Sequence, residues 1–307
     1  MKLKLQGGSA IEGGVMLMSK DHYAIAKYPD LDLLEKTRLK LYGEVPEGKR
    51  ELELTYGNVK KTGWEWAQYT PIIGTIIMLI RSMFVQDNRE PWKTVKGKVD
   101  LSFSQKVKGT ILMGIMMAVL AALSYLVGLI FISIFSVPSG TFLYGFLSSM
   151  SLSIISVVII IGYAYYTSSD ILNFHGAEHK VGNVLCKGLE INEENVYKQS
   201  KIHVNCSTNL FVNSCIVYPF TIGLLCMWTG NIVIAFVLGT ICQYIIGMEL
   251  FRISTWVGNS FLAYVFNFFG ILVQKITTRE PEEKHLRAAI LAAQTLMKLK
   301  RGELKVE

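Results

Sequence analysis

The stretch from Gly109 to Ser169, GTILMGIMMAVLAALSYLVGLIFISIFSVPSGTFLYGFLSSMSLSIISVVIIIGYAYYTSS, contains no Asp, Glu, Lys or Arg. One helical crossing of a bilayer takes about 20 predominantly apolar residues, so this run is long enough for two. The turn-forming cluster Val137-Pro138-Ser139-Gly140 divides it into expected spans of 109–136 and 141–166.

A second uncharged run extends from Asn209 to Met248 and breaks at Trp228-Thr229-Gly230-Asn231, which gives spans of 209–228 and 232–248. Four crossings are therefore expected. The composition agrees, with 51% hydrophobic residues and a mean hydropathy of +0.35. Two shorter apolar runs, Ile72 to Leu79 and Phe261 to Val273, have the length of interfacial or re-entrant segments.

Basic residues set the orientation. Of the 31 Lys and Arg, eighteen fall in residues 1–108, four in 170–208 and nine in 249–307, and the hairpin turns between paired spans carry none. With four spans, those three basic regions share one face, which the positive-inside rule makes cytoplasmic. The expectation is a multi-pass protein of the cell membrane with both termini and the 167–208 segment in the cytoplasm. The net charge of +7 then reads as membrane orientation and attraction to anionic lipid. The lipid bilayer is the expected partner and nucleic acid is not, since no base-reading or aromatic-basic motif is present. The first 30 residues mix charges with glycines and lack a continuous apolar core, so no cleavable secretory signal is expected.

The fold class that follows is a mainly α polytopic membrane protein with about four transmembrane helices. A small strand-rich N-terminal cytoplasmic module and a C-terminal amphipathic helix complete it. The divisions are the N-terminal module, 1–68; an interfacial segment and basic linker, 69–108; a first transmembrane hairpin, 109–166; a cytoplasmic motif segment, 167–208; a second hairpin, 209–250; and an interfacial segment with the C-terminal helix, 251–307.

Within the N-terminal module, Val15 to Met18 and Tyr23 to Lys27 read as strands around Ser19-Lys20-Asp21-His22, and Leu31 to Leu41 and Leu52 to Tyr56 continue with β-tolerant residues. The pairs Gly7-Gly8 and Gly13-Gly14 enclose Ser9-Ala10-Ile11-Glu12, where glycine permits a tight bend that would hold Glu12 as a further site candidate. A hairpin loop with an exposed acid accounts for the same residues. At the other end, Glu280-Pro281-Glu282-Glu283 opens a helix that closes at Lys298-Leu299-Lys300-Arg301-Gly302, with acids first, bases last and glycine beyond. Its stripe of Leu286, Ile290, Ala293 and Met297 is a packing face. The five cysteines, Cys186, Cys206, Cys215, Cys226 and Cys242, lack CxxC spacing, and no structural disulfide is expected on a cytoplasmic face.

The chemistry is concentrated in Asp170-Ile171-Leu172-Asn173-Phe174-His175-Gly176-Ala177-Glu178-His179-Lys180, an HxxEH sequence after the helix-start signal Ser168-Ser169-Asp170. On a helix His175 and His179 project one turn apart and can grip one divalent metal, with zinc the expected ion, while Glu178 stands beside them as a candidate base. The bland alternative is a polar interfacial helix whose histidines meet headgroups. His203 and Cys206 follow closely and would complete a closed four-ligand site. Glu249, at the end of the fourth span and 70 residues after His179, is the rival ligand. Two histidines plus one further protein ligand would leave a position for water. Glu249 can also be read as a residue snorkelling to the interface beside Arg252, and Cys206 as a small buried hydrophobe.

The runs Phe174 to Lys180, Gly7 to Gly13, Gly247-Met248-Glu249 and Gln274 to Pro281 together resemble the YqhQ-like family of bacterial membrane proteins. The family is classed as a domain of unknown function and as a predicted metal-dependent enzyme, so the resemblance implies a metal site without implying a substrate. Two departures stand out. Where the family's pattern is HPRCGTSF, this chain has His203-Val204-Asn205-Cys206-Ser207-Thr208-Asn209-Leu210-Phe211, keeping His and Cys but not the proline, arginine and glycine. Where the pattern is GGQAVIEGVMMR, Gly7 to Met18 lacks the glutamine and the final arginine.

Two functions are carried forward. The first is a membrane-embedded metal-dependent hydrolase, peptidase-like by motif order, acting on an unknown substrate with Glu178 as base. The second is a non-enzymatic scaffold that binds a protein partner and uses the metal structurally. Transport is weaker, because the spans carry no internal acidic or histidine pathway apart from Glu249.

Overall fold

The computed structural model describes residues 5, 7–11, 13–29, 51–59, 70–77, 126–130, 132–166, 169–257 and 261–306. Four strands, β1 (Gly7–Ile11), β2 (Gly14–Met18), β3 (His22–Lys27) and β4 (Glu53–Asn58), form an antiparallel meander in sequence order. Ile11 pairs with Gly14, Met18 with Tyr23 and Lys27 with Glu53. The period-2 geometry of strands sends Val15, Leu17, Ala24 and Ala26 to one face and Met16, Tyr23 and Ile25 to the other.

Helices among the described residues from Phe142 onward are α1 (Phe142–Tyr166), α2 (Ser169–Lys187), α3 (Glu193–Tyr197), α4 (Ser207–Thr229), α5 (Ile232–Val257), α6 (Phe261–Phe266), α7 (Phe268–Thr277) and α8 (Glu283–Arg301). The first sheet face is covered by α2 through Phe174, Ala177, Val181 and Val184, and by α8 through Leu286, Ala289, Ile290, Ala293 and Leu296. Those positions recur at helical spacing, so each helix buries one stripe. The α8 termini are closed by a capping box between Glu282 and His285 and by Gly302 in the left-handed conformation.

Among the described residues, three helices are long and apolar enough to cross a membrane: Phe142–Gly162, Ser207–Thr229 and Ile232–Ser254. The α4 helix lies between α1 and α5 and packs on both. Its turn into α5 uses Gly230 with φ of 65° and the Asn231 side chain, which accepts from the Val233 N–H at 2.9 Å. The expected first span, 109–136, is described only from residue 126, where a shorter apolar helix runs Leu126–Phe135. The strand expected at Leu31 to Leu41 lies outside the described residues, as does Glu12.

Gly7 to Ile11 is an edge strand with Gly8 packed closely against Glu178, and Gly13 adopts φ of 79° in the tight bend before β2 that the glycines are expected to permit. Two expectations change. The fourth apolar helix does not stop at Met248 but continues to Val257, and Glu249 and Arg252 within it pair at 2.7 Å. The run from Phe261 is broken at Asn267, whose amide donates to Ser254 Oγ at 2.6 Å and to the Ala263 carbonyl at 2.9 Å.

Candidate metal centre

The α2 helix carries His175 and His179 one turn apart, and their rings meet edge to face with centroids 4.4 Å apart. Each ring is oriented by a backbone carbonyl. His175 Nδ1 lies 2.9 Å from the Thr277 oxygen and His179 Nδ1 lies 2.7 Å from the Lys201 oxygen. A carbonyl only accepts, so both Nδ1 atoms carry the proton and both Nε2 atoms are left as lone-pair donors. Burial, with His175 and His203 adding to it, holds the His179 pKa well below the usual imidazole range, which keeps the ring neutral.

Cys206 completes the group. It is the N-cap residue of α4, and its Sγ accepts from the Thr208 N–H at 3.4 Å while lying 3.5 Å from His175 Nε2. Burial pushes the thiol pKa up, against the opposing pull of the Thr208 and Ser207 groups. One ligand atom from each of His175, His179 and Cys206 falls within 4.8 Å of the others. In a tetrahedral zinc site, bonds of about 2.1 Å to nitrogen and 2.3 Å to sulfur place those donors about 3.6 Å apart. The Cys206–His175 separation already matches that edge, and a two-nitrogen, one-thiolate set suits a borderline-soft ion.

Glu178 precedes His179 on the helix and lies within the electrostatic reach of both His175 and Cys206. Its carboxyl accepts a hydrogen bond from the Ala10 backbone, and a side chain at Gly8 would run into it. This is why the edge strand carries glycine there. Burial raises the Glu178 pKa to about 7, opposed by His175 and reinforced by Cys206.

The structure does not bring His203 or Glu249 into the group. His203 stands behind His179 with ring centroids 5.8 Å apart. Its Nδ1 accepts from the Asn205 N–H at 3.2 Å and its Nε2 faces Cys186 Sγ at 3.7 Å. Burial lowers its pKa to about 4, so the ring is a neutral packing partner. Glu249 Oε1 accepts from the Ile72 N–H at 2.8 Å, from Thr75 Oγ1 at 2.6 Å and from Arg252 at 2.7 Å. Its Oε1 is thereby engaged by three neighbours away from the histidine pair.

Several supporting residues receive no role from the sequence, although Lys180, Gly176 and Gln274 lie in the runs that carry the family resemblance. Lys180 is 4% exposed, yet its Nζ donates to the Tyr197 and Gln199 carbonyls at 2.9 and 2.8 Å and pairs with Glu280 at 2.6 Å. Asn183 adds bonds to the Ser200 and Ile202 carbonyls at 2.9 and 3.0 Å. Together they shape the loop whose Lys201 carbonyl orients His179. Gln274 is fully buried; its Oε1 accepts from the His203 N–H at 3.0 Å, and its Nε2 donates to the His203 carbonyl at 3.0 Å and to Asn209 Oδ1 at 2.7 Å. An isolated amide in an apolar run was the available clue. Gly176 lets the 279–281 segment lie directly on α2, where the Arg279 N–H donates to the Leu172 carbonyl at 3.0 Å.

Comparison with known proteins adds the family and no activity. Residues 70–299 match the family model described as Protein of unknown function (DUF1385). The chain is similar to the uncharacterized protein YqhQ of Bacillus subtilis (strain 168), 28% identical over 159 residues, which is 48% of each chain. The match therefore spans about half the length of that relative. No solved structure matches the chain.

Proposed function

The chain belongs to the DUF1385 family, and from that premise we propose that it is a membrane-embedded, metal-dependent hydrolase whose centre comprises His175, His179 and Cys206 with Glu178 as general base. The observation that carries this reading is the placement of Glu178. A carboxyl is packed against Gly8 and held by the Ala10 N–H beside three converging metal-type donors, none of which needs it as an orienting partner. When bound, zinc would acidify a water molecule and polarise the bond under attack. Glu178 would then take the proton of the attacking water and deliver it to the leaving group. His175 and His179 are preset by their carbonyl partners, so little reorganisation accompanies binding.

The topology proposed with it has four transmembrane helices, both termini and the metal-bearing segment facing the cytoplasm. It is supported by the uncharged runs and by the distribution of Lys and Arg. A structural metal is the second reading, favoured by the fact that the three donors come from α2 and from the cap of α4, so an ion would staple those elements.

Complementation in a strain lacking the gene, combined with metal analysis of the purified variant, separates the two. Glu178→Gln should retain stoichiometric metal and lose function, because an amide cannot accept the water's proton. Full function from a metal-loaded Glu178→Gln protein would replace the hydrolase with the structural reading.

A further inference from the structure

The segment between the last long apolar helix and α8 has two sharply different faces. On α7, Gly270, Val273, Gln274 and Thr277 are buried, while Phe268, Phe269, Leu272 and Ile276 are 55%, 56%, 41% and 42% exposed. On α6, Phe261 is 81% exposed. An unbroken apolar face of this kind in water would be a large unfavourable patch.

Hydrogen bonds fix how deep this face lies. Asn213 Nδ2 donates to Asn267 Oδ1 at 3.1 Å, and Gln274 Nε2 donates to Asn209 Oδ1 at 2.7 Å. The α7 helix therefore runs beside the opening turns of α4, entering at the level of Asn213 and leaving at the level of Asn209. Asn213 is six residues beyond Ser207 in that apolar helix, about 9 Å along it at 1.5 Å per residue. Asn267 thus lies beside the second turn of that apolar helix, and the chain runs back toward its start by Thr277. Lys275 and Arg279 flank that exit, both exposed and without an ion pair among the described residues. Between them, the Thr277 carbonyl orients His175.

We propose that α6 and α7 form a shallow re-entrant element covered by lipid, and that its edge at Lys275 and Arg279 binds an anionic phospholipid beside the metal centre. The substrate class this implies is a phosphate-headed amphiphile drawn from the leaflet; that part rests on the hydrolase reading, whereas the binding does not. Apolar side chains meet acyl chains, and the two cations that flank the exit meet the phosphate. Continuity with the membrane-spanning helices selects lipid as the occupant of this face over a soluble partner.

The test uses the full chain in detergent, stripped of metal by chelator so that the result is independent of the hydrolase reading. Native mass spectrometry with equimolar phosphatidylglycerol and phosphatidylcholine of one acyl length should show a preference for the anionic lipid of about tenfold. The exposed-residue variant K275A/R279A should abolish that preference without affecting folding, and glycerol 3-phosphate in excess should not displace the lipid. Equal binding of the two lipids, an undiminished preference in the double variant, or displacement by glycerol 3-phosphate would overturn the proposal, the last by showing a soluble-anion site. A photo-cross-linking residue introduced at Phe269 should capture lipid from vesicles, and the same residue at Tyr197, 67% exposed on α3, should not. Capture at neither position, or equally at both, would reject the re-entrant placement. If lipid binds as expected but a metal-loaded protein cleaves no phosphate-headed amphiphile, the binding stands and the substrate class is what fails; the Glu178→Gln complementation decides the hydrolase reading separately.

Discussion

The module built from the sheet, α2 and α8 and the bundle of α1, α4 and α5 are both rich in apolar residues and use them in opposite ways. In the module Val15, Leu17 and Leu296 are 0% exposed and Phe174 is 1% exposed. In the bundle Ile154, Leu224 and Val237 are 53%, 56% and 60% exposed. The module gains its stability by removing apolar surface from water. The bundle leaves much of its apolar surface outward, where only a hydrocarbon solvent makes it favourable, and helix association there depends on close packing and internal hydrogen bonds. Buried polar groups divide the same way. Lys180 and Asn183 reach across to carbonyls of another segment, whereas Ser148 and Ser149 bond back to carbonyls one turn earlier in their own helix. The candidate metal centre lies at the join, with two donors from the module and one from the N-cap of the bundle's central helix.

That join is where the comparison breaks most completely. Replacing both His175 and His179 by alanine should remove all stoichiometric metal from the purified protein, read by elemental analysis. Unchanged content would dissolve the join as a metal centre.

Next in size is a core-versus-lipid contrast. Leu296→Ala should destabilise the module by about 2–5 kcal/mol, because it leaves a cavity in a packed core. Leu224→Ala, on the outward face of α4, should fall within about 0.5 kcal/mol of wild type. Thermal unfolding in one detergent measures both, and equal losses would mean that the two regions are packed alike.

Gln274→Leu sharpens the account of the join. It leaves the His203 N–H without its acceptor and loosens the loop that also presents Lys201. Zinc affinity should weaken by about tenfold or more, the scale of a lost orienting partner, and an unchanged affinity would remove Gln274 from the support of the site. Competition with a chromogenic chelator supplies the numbers.

The smallest effect concerns the contact of α2 with α8 at the protein surface. His285, and after it Lys284, hold the Asp170 carboxyl at about 2, down from 3.8. Its Oδ1 is 3.1 Å from Lys284 Nζ and 3.5 Å from His285 Nε2, the latter longer than a good hydrogen bond. Because the folded pKa is depressed, the stabilisation is present above pH 3.8 and is lost as pH falls toward 2. The carboxylate is 51% exposed, so solvent screening limits the gain to under about 1 kcal/mol. Asp170→Asn should flatten the acid limb of the melting curve over that window, and an unchanged limb would remove Asp170 from the contact.

The apolar helices were legible in the sequence because a bilayer imposes a length of uncharged residues that no local context can disguise. Turn clusters at Val137 to Gly140 and Trp228 to Asn231, the strands around Ser19 to His22, and the helix carrying HxxEH were legible for a related reason, since their geometry is set by neighbours in the chain. The pairing of His175 with His179 is local in the same sense, being one helical turn. Tertiary structure alone decided the rest. Cys206 was distinguished from His203 and Glu249 because a ligand's position depends on where three segments distant in sequence meet. Position 8 takes glycine because Glu178 occupies the space a side chain would fill. Gln274 and Lys180 acquired their roles from carbonyls whose directions depend on the course of loops, and no periodicity in the chain encodes those.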